Sequence, residues 1–269
     1  MKKTITIFAA MLLALALDAQ GISVMSFNLG ETSSDRNWNM RKDAVAGMTV
    51  SESPDLIGLQ SCPTANGKEL EKSLPGYSCV KMGKHSPSDN LIFIRTENSS
   101  VLKSGFFSLS DKPENPGSMF SCATRPCNAV WAVIRLNDGK EVFAVNTSFD
   151  AESAEARMLQ VKLLVEKIGS LSEGRPCILT GTLNCKPSLW SDKEYGPGYV
   201  LKSARILDAR QMALGTDSKP SVRAEGVKPK IADYIFYSVD GLSANQFRTI
   251  VGTEPLSDHN PIRANLLFK

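Results

Sequence analysis

Short apolar runs of five to eight residues recur along nearly the whole chain, each closed off by turn residues. Runs of that length cannot bury a helical face, and most are β-branched or alternate with period two, so they read as strands. They occupy 21–27, 55–60, 77–82, 90–95, 103–109, 129–136, 141–147, 176–183, 204–208, 231–238, 246–252 and 261–268. Asn137-Asp138-Gly139 joins two of them with the residue types that tolerate the positive φ of a tight hairpin. Helical spacing appears at 36–51, 65–74 and 152–171, with a short helix inside 186–202. The 152–171 stretch has the clearest apolar face, formed by Met158, Val161, Leu164, Val165 and Ile168. Segments 110–128 and 211–229 read as loops, the second as a mobile one. No internal repeat or composition break divides the chain, so the expectation is one mixed-sheet α/β domain.

The first residues are set apart from that domain. Lys2 and Lys3 precede an uncharged apolar run over 5–17, followed by Asp18, Ala19 and Gln20. This is the pattern of a secretory signal peptide, expected over 1–19, with the domain over 20–269. Thirteen residues fall short of the ~20 a membrane helix needs, and no other stretch is longer, so the expected location is periplasmic or extracellular. The net charge is +3, or +2 once Lys2, Lys3 and Asp18 are removed. So small a balance lacks the basic footprint of a nucleic-acid binder. Six cysteines in an exported chain permit disulfides. Proximity favours Cys122–Cys127 and Cys62–Cys79, with buried thiols the alternative. Two histidines and no C-x-x-C spacing argue against structural zinc. Oligomeric state is not legible.

Polar residues collect just after strand ends, at Asn28, Ser61, Ser148 and Asn184, where α/β sheets place their sites. The strings that carry them are Ser-Phe-Asn-Leu (26–29), Trp-Asn-Met-Arg-Lys (38–42) and Pro-Asp-Leu-Ile-Gly-Leu-Gln-Ser (54–61). Then come Asn-Leu-Ile-Phe (90–93), Trp-Ala-Val-Ile (131–134), Asn-Thr-Ser-Phe-Asp (146–150) and Ile-Leu-Thr-Gly-Thr-Leu-Asn (178–184). Asp-Tyr-Ile-Phe (233–236) and Ser-Asp-His-Asn-Pro (257–261) complete the series. In order and spacing these strings resemble the endonuclease/exonuclease/phosphatase family from about Gly21 to the C-terminus. The resemblance implies a DNase I-like four-layer sandwich, two packed mixed β-sheets flanked by helices. It also implies Mg²⁺-dependent hydrolysis of phosphoesters.

Carried over residue by residue, the family pattern meets three substitutions. Ser61 stands where relatives place a metal-binding Glu, Ser148 where they place a phosphate-contacting His, and Thr182 where they place a water-aligning Asp. Mg²⁺ is normally held by carboxylates and water, and neither Ser61 nor Thr182 is anionic, so Mg²⁺ binding is expected to be weak at most. Asn28 and Asn184 match asparagines of the metal shell and phosphate site. His259 matches the histidine acting on the phosphoryl group, Asp233 the acid that orients it, and Asp258 an acid near the metal. Cys127 replaces an Arg of some relatives, with Arg125 two residues away. Trp131, Phe143 and Tyr234 read as core. Glu31, Asp35, Asp150 and Glu152 read as ordinary loop or helix-start acids, one of which could reach the pocket. The expected protein is a degenerate phosphoesterase that still takes a phosphorylated or polar small molecule. The alternatives are an active hydrolase using Asp258 with Glu31 or Asp35, and an interaction module using loops 110–128 and 211–229.

Overall fold

Strand pairing sorts the chain into two sheets. The computed structural model describes residues 21–30, 37–82, 90–185, 196–222, 228–252 and 256–269. The expected signal peptide, Glu31 and Asp35 lie outside these residues. Sheet A contains β1 (Gly21–Asn28), β2 (Leu56–Gln60), β3 (Tyr77–Val80), β4 (Leu91–Arg95), β11 (Leu242–Thr249) and β12 (Ile262–Phe268), in the order β11-β12-β1-β2-β4-β3. Sheet B contains β5 (Ser99–Ser108), β6 (Asn128–Leu136), β7 (Glu141–Ser148), β8 (Cys177–Thr182), β9 (Ile206–Asp208) and β10 (Asp233–Ser238), in the order β5-β6-β7-β8-β10-β9.

Each sheet has one parallel pair, β1–β2 and β7–β8, spanned by the two longest helices, α1 (Trp38–Glu52) and α3 (Ala154–Leu171). A parallel crossover requires such a connection. The shorter α2 (Thr64–Ser73), α4 (Pro197–Ser203) and α5 (Ala209–Met212) complete the elements. Among the described residues no helix is long and apolar enough to cross a membrane.

Apolar side chains separate the layers. Val24, Ile92, Val130, Ile178, Ile235 and Leu266 belong to the core between the sheets. Met25, Phe27, Val45, Leu59 and Leu70 pack sheet A against α1 and α2. Val145, Val161, Leu164, Leu179 and Leu201 pack sheet B against α3 and α4. Alternating residues of one strand feed opposite layers, as period two demands. The four-layer sandwich is therefore present.

Several expectations shift. β5 starts at Ser99, four residues early, because a register shift between Val101 and Lys103 interrupts its alternation. β11 starts at Leu242 for the same reason, with its irregularity between Ala244 and Gln246. The 211–229 segment is not loose where it is described. It begins inside α5, and buried Arg210 donates to the carbonyls of Asp217 (3.1 Å) and Lys219 (3.0 Å). Asp217 in turn accepts from the backbone N–H of Thr249 at 2.6 Å. Loop 110–128 is likewise pinned by buried Asp150, which accepts from Thr124 N at 2.6 Å and from Glu152 N and Ser153 N at the start of α3. Burial opposes the Asp150 charge, but the donors of Ser153, Thr124 and Glu152 outweigh it and hold its pKa down to about 2. Asp150 therefore serves the fold and is not a spare metal ligand.

Neither expected disulfide forms. Among the described residues, which include all six cysteines, every one is a thiol. Cys62, Cys127, Cys177 and Cys185 are buried and packed as small apolar groups. Burial pushes the Cys79 and Cys177 thiols up to about 12 and those of Cys127 and Cys185 to about 11, leaving them unreactive.

One polar seam crosses the apolar layer between the sheets. Asn146 on β7 donates to the carbonyls of Leu59 (2.7 Å) and Leu91 (2.9 Å), and its Oδ1 accepts from Gln60 Nε2 at 2.6 Å and Thr180 Oγ1 at 3.0 Å. The sheets approach so closely here that a Cβ on Gly58 would lie 2.0 Å from Thr180 Oγ1 and 2.7 Å from Asn146 Oδ1. Gly58→Ala is therefore expected to destabilise the protein by about 2 kcal/mol, read as a lower urea midpoint. An unchanged midpoint would show that the seam yields freely.

Candidate functional site

At one end of the sandwich, Ser148, Thr182 and Asp233 form a row across β7, β8 and β10, each directly opposite the next in register. Residues opposite one another in register share a face, and this one meets the ends of β1 and β4. Asn28 closes β1, and Asn90 directly precedes β4. The row and the two asparagines form a polar floor.

Asp233 is its focus. The residue is 1% exposed, and both of its carboxylate oxygens are engaged. Thr182 Oγ1 donates to Oδ1 at 2.6 Å, and His259 Nδ1 lies 2.7 Å from Oδ2. A carboxylate can only accept, so Thr182 spends its single proton there and the ring carries its proton on Nδ1. Thr182 then accepts from Asn28 Nδ2 at 2.9 Å, and Asn28 Oδ1 accepts from Gly30 N at 2.8 Å. The dipoles from Gly30 through Asn28 and Thr182 all point toward one negative charge. Behind it, Ser221 Oγ accepts the backbone N–H groups of Ala232 and Asp233, both at 3.1 Å.

The charge on Asp233 sets the state of the imidazole. Burial resists charging His259, but the Asp233 carboxylate, its hydrogen bond and the nearby Asp258 outweigh burial and the repulsion of Lys230. The pKa stands above its ordinary 6.5. Asp233 and His259 thus approach a buried ion pair, neutral overall.

Asp258 belongs to the same corner. Its Oδ1 lies 3.1 Å from Ser257 Oγ, which also donates to Asn28 O at 2.9 Å and accepts from His259 N at 3.1 Å. Gly30, at φ +71, leaves room for that carboxylate, since a Cβ there would stand 2.0 Å from Asp258 Oδ1. Arg41 of α1 fixes the corner by donating to the carbonyls of Leu29 and Leu256. Asn184 sits apart from the Asp233 chain. Its backbone is left-handed at φ 51, and its Nδ2 donates to Phe149 O at 2.9 Å.

Ser61 and Ser148 line an adjoining cleft of about 30 Å³ with Asn90, Arg125, Cys127 and Asn128. That is room for a water or two. Ser148 Oγ donates to Asn90 Oδ1 at 3.0 Å, and Asn90 Nδ2 donates to Asn128 O at 3.1 Å. Ser61 follows β2 in a left-handed backbone at φ 49, which costs an L-residue about 1 kcal/mol. The sequence reading gave no role to Asn90, Asn128, Ser221 or Ser257. Asn90 had a signal, a polar residue opening the apolar run 91–94. Ser221 had none within its Lys-Pro-Ser-Val setting.

A dication does not fit the donor set described. No group of three or more His, Cys, Asp or Glu side chains converges among the described residues. The Asp233 oxygens are engaged by Thr182 and His259, and the side chains at 148 and 182 are neutral hydroxyls, which hold a hard dication less well than carboxylates. Asp258 offers one carboxylate.

Comparison with known proteins agrees with the fold. The model of the endonuclease/exonuclease/phosphatase family matches residues 25–259. An endonuclease/exonuclease/phosphatase from Bacteroides vulgatus superposes with a TM-score of 0.83 at 25% identity, covering 93% of this chain and 100% of its own. A family protein from Bacteroides thetaiotaomicron gives 0.80 at 23% identity, over 93% and 98% of the two chains. A mannosyl-6-phosphatase from Bacteroides thetaiotaomicron gives 0.77 at 24% identity, over 92% and 100%. Comparison with curated proteins finds no match.

Followed by NMR, the His259 ring is expected to titrate above pH 6.5, and Asp233→Asn to bring its midpoint below that value, where burial alone would put it. The sign for stability follows from a raised folded pKa. The contribution is complete below pH 6.5 and fades as pH rises through the folded midpoint. A midpoint unchanged in Asp233→Asn would refute the pairing.

Proposed function

The chain belongs to the endonuclease/exonuclease/phosphatase family, and from that membership we propose an exported, degenerate phosphoesterase. In this reading metal-dependent hydrolysis is lost or residual, while the cleft still receives a phosphorylated or polar small molecule. One observation carries it. At 182, where the family pattern places a water-aligning carboxylate, the neutral hydroxyl of Thr182 donates to Asp233 at 2.6 Å, and Ser61 is likewise uncharged. Phosphoryl transfer depends on charge placed against the equatorial oxygens and the attacking water. Removing one member of such a unit typically costs on the order of 10⁴-fold in rate. Export rests on Lys2, Lys3 and the apolar run 5–17. The modest net charge favours a small ligand over nucleic acid, and one structural neighbour is named as a phosphatase of a mannosyl phosphate. His259, whose pKa stands above its ordinary value, and Arg125 at the cleft are the groups suited to an anion.

Purified chain incubated with bis-(p-nitrophenyl) phosphate and Mg²⁺ or Mn²⁺ is expected to release no more nitrophenol than the same mixture in EDTA. EDTA-sensitive turnover abolished by His259→Ala would instead support an active site using Asp258 with Glu31 or Asp35.

The double variant Ser61→Glu/Thr182→Asp is expected to bind Mg²⁺ more tightly in calorimetry, by on the order of tenfold or more. Thr182→Asp places a second carboxylate against Asp233, a pair that only a cation or proton can relieve. Unchanged affinity would show that positions 61 and 182 do not face a common ion.

A further inference from the structure

We propose that the outer face of β11 and β12 carries a second binding site, for a hydroxylated small molecule bearing one oxyanion, such as a sugar phosphate or a sugar acid. The face borders a groove of about 520 Å³, lined by Gln246, Arg248, Arg263 and Asn265 and closed along one edge by 215–217. That volume suits a small ligand.

Register makes the arrangement specific. Arg248 stands directly opposite Arg263, and Gln246 opposite Asn265, on successive rungs of one face. Phe247 and Ala264 between them point into the core. Like charges directly opposite on neighbouring strands destabilise a sheet. Here the two guanidinium groups share the single carboxylate of Glu52, with Arg263 Nη1 at 3.0 Å and Arg248 Nη2 also bonded to it. The trio keeps one excess positive charge. Asp217, the acid in the groove wall, does not cancel it. Its oxygens accept from Thr249 N at 2.6 Å, Thr249 Oγ1 at 2.9 Å and Lys219 N at 3.1 Å, and Arg210 Nη1 lies 3.3 Å away.

The next rung supplies neutral donors and acceptors. Gln246 is exposed and Asn265 half-buried, and among the described residues neither side-chain amide has a hydrogen-bond partner in the protein. Arg263 is held in place through Nη1, which donates to Glu52 O at 2.8 Å and Oε2 at 3.0 Å, while its Nε is buried and lacks a partner. A cationic rung beside an amide rung matches an oxyanion attached to a body of hydroxyls. A nucleobase or an apolar ligand would find no aromatic or apolar platform among these four side chains.

The site is separate from the Asp233 corner. His259 precedes β12 and lies beyond Pro261, whereas the groove uses Arg263 and Asn265 within the strand. Titration calorimetry of the mature chain with glucose 6-phosphate, glucuronate, glucose and inorganic phosphate tests the proposal. At least one of the two acidic sugars should saturate, about tenfold tighter than glucose or phosphate alone. Which one binds better identifies the oxyanion. Arg248→Gln and Asn265→Ala should each weaken binding by about tenfold, with circular dichroism confirming the fold. The proposal fails if neither acidic sugar saturates or if both groove variants bind like the parent.

Discussion

A buried carboxylate must find a positive charge, a set of donors or a proton, and Asp233 dictates how its surroundings are built. In a buried corner an unpaired anion would cost several kcal/mol. The chain meets that cost from three directions, with an imidazole from the 257–261 segment, a hydroxyl from β8 and an amide from β1 behind the hydroxyl. Each contributor belongs to a different stretch of sequence and two different sheets. The Asp233–His259 pair is therefore also a clasp, joining the 257–261 segment to the ends of β8 and β10 and, through Thr182 and Asn28, to β1.

The two sheets are variants of one plan, which explains why the clasp sits where it does. Read outward from the parallel pairs, β12-β1-β2-β4-β3 and β6-β7-β8-β10-β9 repeat the same series of antiparallel and parallel partners. Asn28 and Ser148 close equivalent strands, as do Gln60 and Thr182. The face-to-face stacking brings these four ends together. Period two then sets the depth, with Asn146 and Thr180 buried in the seam and Ser148 and Thr182 one pleat nearer the open end. The same geometry that buries a structural polar network thus delivers the candidate site.

Much of this was legible because strand ends and turns leave local signals. Apolar runs located each strand, and the strings holding Asn28, Ser61, Ser148, Thr182, Asp233 and His259 placed the polar ends. What escaped depends on contacts between distant residues. The irregularities in β5 and β11 break alternation, so a period-two reading sees only half of each strand. The matched sheet plans leave no internal repeat in the sequence, because topology is set by pairing while side chains diverge. Sequence proximity suggested Cys122–Cys127 and Cys62–Cys79, yet Cys62 and Cys127 are packed in separate apolar layers as core residues. The composition of 211–229 read as mobile, but Arg210, Asp217 and Ser221 anchor its described part through bonds invisible to composition.

Under the proposed reading, the hydroxyls at 61, 148 and 182 are best understood together. In a site built around a dication, the Glu, Asp and His side chains are mutually tolerable because the ion offsets the crowded negative charge. Losing one acid weakens the ion's grip, and a weakly held ion leaves the remaining acids repelling each other. A hydroxyl at 182 resolves that conflict locally, since it donates to Asp233 where a carboxylate would repel it. At 148 the hydroxyl donates to the amide oxygen of Asn90. With both in place, Asp233 needs only the proton of His259 to be neutralised, and that proton is held more firmly than in a free imidazole. Under the proposed reading, a neutral hydroxyl at 182 thus suits an Asp233 already paired with His259. Ser61 and Asn184 both hold left-handed backbone just after the ends of β2 and β8, so the chain turns sharply at the two strand ends that meet this corner.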